Sequence, residues 1–127
     1  MSINNRLLNR SIRKVERSLA QNLSKSKWSR NALENDLEWF VTWKIKQVTR
    51  AEAYWCDRAK NLELEWLPNK VLLVRAVIYI GPESDVSSVS EATLEGSLTL
   101  SSHGKRLKSY NLNIVQSGTT YVLSKKT

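Results

Sequence analysis

The chain is 127 residues long and 41% hydrophobic, with five tryptophans, one histidine, one cysteine and a formal net charge of +8. That size suits a single domain over residues 1–127, because two separate cores would each be marginal, and the aromatic content is too high for a disordered chain. One cysteine rules out an intrachain disulfide, and one cysteine with one histidine cannot supply a four-ligand zinc site.

Ile3 to about Leu23 reads as an amphipathic helix, with Ser2 placed to cap it. At 100° per residue, Leu8, Ile12, Val15 and Leu19 fall within about a 60° arc, and Arg6, Arg10, Arg13 and Arg17 within a similar arc opposite. The narrow aliphatic stripe, extended by Leu23, has to lie against the rest of the domain or a second copy of itself. Ser24 to Arg30 is a polar, basic connector. Asn31 opens a capping-box pattern with Glu34, and Leu33, Leu37 and Val41 follow at helical spacing. Residues 37–49 then admit two readings. Leu37, Trp39, Val41, Trp43 and Ile45 alternate as in a strand, while Leu33, Leu37, Phe40, Val48, Trp55, Ala59 and Leu62 fit one face of a long helix. The β-branched and aromatic content of Trp39 to Thr49 favours a short second helix followed by a strand.

The remainder is β in character. Leu62 to Trp66 alternates, and Pro68-Asn69 turns the chain. Val71 to Ile80 is a nearly continuous β-branched run, as in a central strand covered on both faces. Gly81-Pro82 ends it, and Glu83 to Ser90 is a polar loop. Ala92 to Leu100 alternates, with Leu94, Leu98 and Leu100 inward and Gly96 marking a bulge or close approach. After a turn over Ser101 to Gly104, Tyr110, Leu112 and Ile114 share one face of a strand from Leu107 to Val115. Ser117-Gly118 is a tight hairpin signal leading into Thr120 to Leu123. The expected fold class is α+β: an N-terminal basic amphipathic helix, a second short helix and a mostly antiparallel sheet ending in a meander. Arg75 breaks the longest apolar run, and Met1 to Lys14 lacks the apolar stretch of a signal peptide. A cytoplasmic or virion location, with no transmembrane segment, is expected.

Charge is segregated along these elements. Residues 1–30 hold eight Lys/Arg against Glu16 alone, a net of +7, and residues 101–127 hold five with no acid, a net of +5. The stretches 31–68 and 69–100 each come to −2. Segregated basicity, unlike uniform basicity, points to a surface for an anion. It divides the chain into a basic helical arm over 1–30 and an α+β body over 31–127.

Nothing in the inventory forms a catalytic set. His103 sits in a Ser-Ser-His-Gly turn and reads as a solvent-exposed polar residue. Cys56, between Trp55 and Asp57, reads as a buried, inert thiol. Four glycines leave no phosphate-cradling loop and no Gly-x-Ser-x-Gly turn. Glu34, Asp36 and Glu38, and separately Glu63 and Glu65, are close enough for acid–base or cation chemistry. The better account of them is a solvated strand edge or a helix start favoured by the macrodipole. Trp39 and Trp43 share a face under either reading and are expected in a core aromatic layer with Trp55 and Trp66. No enzymatic activity, cofactor or metal is expected.

The basic elements carry the functional signal. An arginine row at i, i+4, i+7 and i+11 has the spacing to track a phosphate backbone, and guanidinium forks suit phosphate oxygens. Lys14, Lys25, Lys27 and Arg30 extend the patch, and Trp28 is placed to stack on an unpaired base. Lys105, Arg106 and Lys108 crown a hairpin, and Lys125-Lys126 read as a mobile tail. The expectation is a non-enzymatic binding protein with RNA or another polyanion as partner. Self-association is expected through the stripe of the first helix or through exposed strand edges. A basic arm ahead of a β-domain is also the layout of small viral coat or nucleocapsid proteins, an analogy of architecture only. The alternative is a protein-interaction module, of adaptor, chaperone or immunity type, that uses the same apolar stripe as its interface. Membrane-surface binding is disfavoured, because the helix has no Trp or Phe before Trp28.

Overall fold

A computed structural model describes residues 5–50 and 54–126. Two helices, α1 (Asn5–Leu23) and α2 (Arg30–Thr49), precede β1 (Tyr54–Leu67), β2 (Val71–Pro82), β3 (Ser90–Leu100), β4 (Leu107–Gln116) and β5 (Thr119–Lys125). The strands form one antiparallel sheet in the order β1-β2-β3-β4-β5, giving the α+β arrangement expected. The proposed cap of α1, Ser2, lies outside the described residues. No described helix is long and apolar enough to cross a membrane.

α1 forms as its stripe dictates, and Leu8, Ile12, Val15, Leu19 and Leu23 are all buried. It lies antiparallel to α2: Gln47 donates to Asn9 near one end, and Ser18 and Asn22 donate to Asp36 towards the other. From Val15 onward the stripe belongs to the same core cluster as Leu112, Ile114 and Leu123 of the sheet. The stripe is therefore covered within the chain itself. It is neither the seam between copies nor the free interface that the sequence suggested.

α2 overturns both the strand reading of residues 37–49 and the short second helix, for it runs unbroken over 20 residues. Its cap is Ser29, not Asn31; the Ser29 side chain accepts from the Ala32 N–H at 3.3 Å, and Arg50 ends the helix in the left-handed region at φ 55°. The misreading has a physical cause. α2 is enclosed between α1 and the sheet, so Phe40, Val41 and Ile45 are fully buried, and even Asp36, Thr42, Lys44 and Lys46 lose their solvent. A helix enclosed on most sides carries no single apolar stripe. Trp39, on the outer surface, fills a place that a polar residue would otherwise mark.

The tryptophans do not form a core layer. Trp39 is 51% exposed and Trp66 45%, while Trp43 and Trp55 are only partly covered. Trp39 stacks on Trp43 one helical turn away, with ring centroids 5.9 Å apart. The core is aliphatic, and its aromatic contact is Phe40 edge-on to Tyr110 at 5.1 Å.

β1 begins at Tyr54, well before the alternation at Leu62 becomes visible. Register shifts between Cys56 and Arg58 and between Lys60 and Glu63 hide the first half, the second with Asn61 left-handed at φ 54°. These bulges space the inward-facing Cys56, Ala59 and Leu62 three residues apart instead of two. β2 is covered on one face, not both: Leu72, Val74, Ala76, Ile78 and Ile80 are buried, whereas Leu73 and Arg75 are exposed. Its run looks continuous because Val77 and Tyr79 are half-buried on the open face, with Arg58 and Lys60 lying over the Tyr79 ring. The Tyr54 and Tyr121 side chains lie near enough to interact, so the two edge strands of the sheet, β1 and β5, come within side-chain reach of each other.

The turns follow their residues. Asn69 and Lys70 take φ 66° and 60° between β1 and β2. Ser117 and Gly118 take φ 47° and 83°, the two-residue geometry that matches strand twist. In a meander, alternate turns share an end of the sheet. The β1–β2 and β3–β4 turns accordingly meet at one end, where Leu100 N–H donates to the Lys70 carbonyl.

Candidate nucleic-acid interface

Arg6, Arg10, Arg13, Lys14 and Arg17 are all exposed along α1. Among the described residues none of the four arginines makes an ion pair or hydrogen bond. The single acid of this helix, Glu16, sits at the flank of the apolar stripe and is turned inward, 5% exposed. Its carboxylate accepts from the Tyr110 hydroxyl at 2.7 Å and from Lys125 Nζ at 3.3 Å. Every charged side chain left on the outer face of α1 is a cation.

Lys125 is thus not part of a mobile tail. It closes β5, pairs with Glu16 and also donates to the Leu107 carbonyl at 3.1 Å. Lys44 completes this polar island: it is buried, lies 5.2 Å from the centre of the Tyr110 ring and donates to Gln47. Burial holds the Lys44 pKa below its ordinary value, with the nearby Glu16 pulling it back up.

Where α1 ends, the other basic groups converge. Lys25 and Lys27 of the connector line a cleft of about 690 Å³ with Trp28, Trp66, Lys70 and His103. The Ser24 hydroxyl donates to the Gly104 carbonyl at 2.6 Å and ties the connector to the β3–β4 turn that carries Lys105 and Arg106, both exposed. Trp28 is fixed by its own N–H, which donates to the Leu23 carbonyl at the end of α1 at 2.9 Å. Arg30 instead lines a neighbouring hollow that contains Glu63, and Lys108 is exposed on β4 outside the cleft. Trp66, Lys70 and His103 are the cleft residues that sequence reasoning passed over. Lys70 and His103 sit in turns the sequence does mark, and the meander order places those turns together.

The remaining candidates are structural. Asp36 accepts from α1, and Glu38 accepts from the Ala59 N–H at the bulged half of β1 at 3.2 Å. Glu63 and Glu65 do share the open face of the sheet, around an Arg75–Glu95 pair at 3.0 Å. No group of three His, Cys, Asp or Glu side chains among the described residues is placed to hold a metal ion. Cys56 is buried, and desolvation pushes its thiol up from an ordinary 9.0 to about 12. Native protein is expected to resist iodoacetamide near neutral pH and to be alkylated once unfolded, as read by mass spectrometry. Prompt labelling of the folded chain would contradict this. Above pH 9 the folded thiol keeps a proton that the unfolded one loses. Stability should therefore fall as pH rises from 9 towards 12, by up to about 1.4 kcal/mol per pH unit.

No family model, curated protein or solved structure matches this chain, so its own surface carries the functional argument.

Proposed function

We propose that the chain is a non-enzymatic polyanion-binding protein whose partner is single-stranded RNA, held along the outer face of α1 and the connector that follows. One observation carries the reading: every charge on that face is positive and unpaired, because Glu16 is turned inward to Tyr110 and Lys125. Helix faces that serve only solubility normally mix signs, and an unmixed row favours a polyanion over water. The guanidinium groups take phosphates, and Lys14, Lys25 and Lys27 extend the track.

The test is a variant with Arg6, Arg10, Arg13 and Arg17 all replaced by glutamine, which keeps helix propensity nearly unchanged. RNA binding should weaken uniformly across sequences. The slope of log affinity against log salt should drop by roughly 0.7–0.9 per lost contact, about 3 in total. Lys126→Gln, an exposed site beyond β5, serves as the neutral control; Lys125 does not, because it is paired. A folded four-glutamine protein with unaltered affinity and slope defeats the reading. The half-exposed Trp39–Trp43 stack supports a second reading, a protein contact on α2, since exposed aromatic pairs are typical interface anchors.

A further inference from the structure

We infer that the cleft at the end of α1 is a base-stacking subsite, which takes one unpaired nucleobase on Trp66 with its phosphate among Lys25, Lys27 and Lys70. This rests on the polyanion reading and names what that surface selects. Electrostatics is the first support: among the described residues that line the cleft none is acidic, and its three lysines come from two separate segments, the connector and the β1–β2 turn. Convergence of that kind is unusual for a solvated surface, where charges of both signs intermix.

Ring geometry is the second. Trp28 and Trp66 lie with centroids 6.1 Å apart and planes tilted by 38°. That spacing is already direct ring contact, within the usual range of about 4.5–7 Å, so no base slides between them. The stacking surface is the outward face of Trp66, which is 45% exposed, while Trp28 is only partly exposed and backs it. The orientation of Trp28 is favoured by its N–H, which is bonded to the Leu23 carbonyl at 2.9 Å.

Preorganisation is the third. The connector and the β3–β4 turn are locked together through Ser24 and Gly104. Gly104 is held at φ 68°, and a Cβ there would lie 2.5 Å from the Ser24 hydroxyl oxygen. The walls of the cleft are therefore set before any ligand arrives, which lowers the entropy lost on binding. A duplex cannot offer an unstacked base to such a site, whereas a single strand can.

The experiment compares two fluorescein-labelled strands of equal length, one a single-stranded RNA and the other its abasic counterpart, by anisotropy at fixed salt. Both carry the same phosphates, so their ratio isolates the bases. The RNA should bind about 5- to 150-fold tighter for one stacked base. Trp66→Ala should bring that ratio close to 1, and Trp66→Phe should restore most of it, which also guards against a folding defect in the alanine variant. Lys70→Asn, which tolerates the left-handed turn, should weaken both strands alike. A wild-type ratio of 1, or a ratio unchanged in Trp66→Ala, overturns the subsite. Binding of neither strand overturns it together with the polyanion reading. A ratio well above 1 alongside a four-glutamine variant of unaltered affinity and slope leaves the subsite standing and defeats the proposed track along α1.

Discussion

Glu16→Ala is expected to destabilise the fold by about 2–3 kcal/mol, because it removes a buried carboxylate and leaves its hydrogen-bonding partners behind, with Lys125 open enough to regain water. The carboxylate is 5% exposed, and its loss strips the Tyr110 hydroxyl of its acceptor and Lys125 of its partner. Lys44, itself only 6% exposed, loses the anion that offsets its desolvation. Urea unfolding near neutral pH measures the deficit; a change below 1 kcal/mol would mean the cluster relaxes into solvent. The pH dependence has a definite sign. A lysine whose folded pKa lies below its unfolded value binds fewer protons when folded, so its contribution to stability improves as pH rises towards 10.5. The gap between wild type and Glu16→Ala should therefore narrow at alkaline pH, where a neutral amine needs no anion. Because both proteins carry Cys56, its opposing trend cancels in the difference.

Gly96→Ala should cost about 3 kcal/mol or more, at the upper end of what overpacking does. A Cβ at this point of β3 would sit 2.1 Å from the Asn111 carbonyl oxygen and 2.8 Å from Leu112 Cα, both backbone atoms of β4. Side chains can rotate aside, but a paired strand cannot without opening its ladder. Gly118→Ala is the informative contrast. Nothing lies within 4 Å of its Cβ position, and only the positive φ of 83° opposes the change, so the cost should be about 1–2 kcal/mol. Equal losses at the two sites would show that β3 and β4 separate more readily than their contact suggests. Thermal melts, with amide exchange across Leu94 to Leu98, decide between these outcomes.

The sequence was informative wherever one face met solvent and the other the core. α1, β3, β4 and the Ser117-Gly118 hairpin all satisfy that condition, and all were legible from periodicity. α2 violates it by being enclosed, and the first half of β1 violates it through two bulges that reset the alternation. The arginine row was visible because it needs only one helix. The Trp28 cleft was half visible: Lys25, Lys27 and Trp28 are adjacent in sequence, but Trp66, Lys70 and His103 join them only through the meeting of two turns. The inward turn of Glu16, which leaves the row unopposed, depended on partners 94 and 109 residues away.

The unbroken strand order has a consequence for how the chain reaches this state. Each strand pairs with the next in sequence, so each ladder can close from a short connection, and the entropy lost in closing a loop grows only slowly with its length. The sheet can zip up hairpin by hairpin. α1 differs, since it meets β4 and β5 only across roughly a hundred intervening residues, whereas α2 meets β1 across 14 to 21. Docking of α1 is then expected to be the late event, because its contacts with β4 and β5 close the longest stretch of chain. The Glu16→Ala deficit would accordingly fall on the unfolding rate and leave the folding rate almost untouched. The surface assigned to RNA would be the last part of the molecule to assemble and the first to come away.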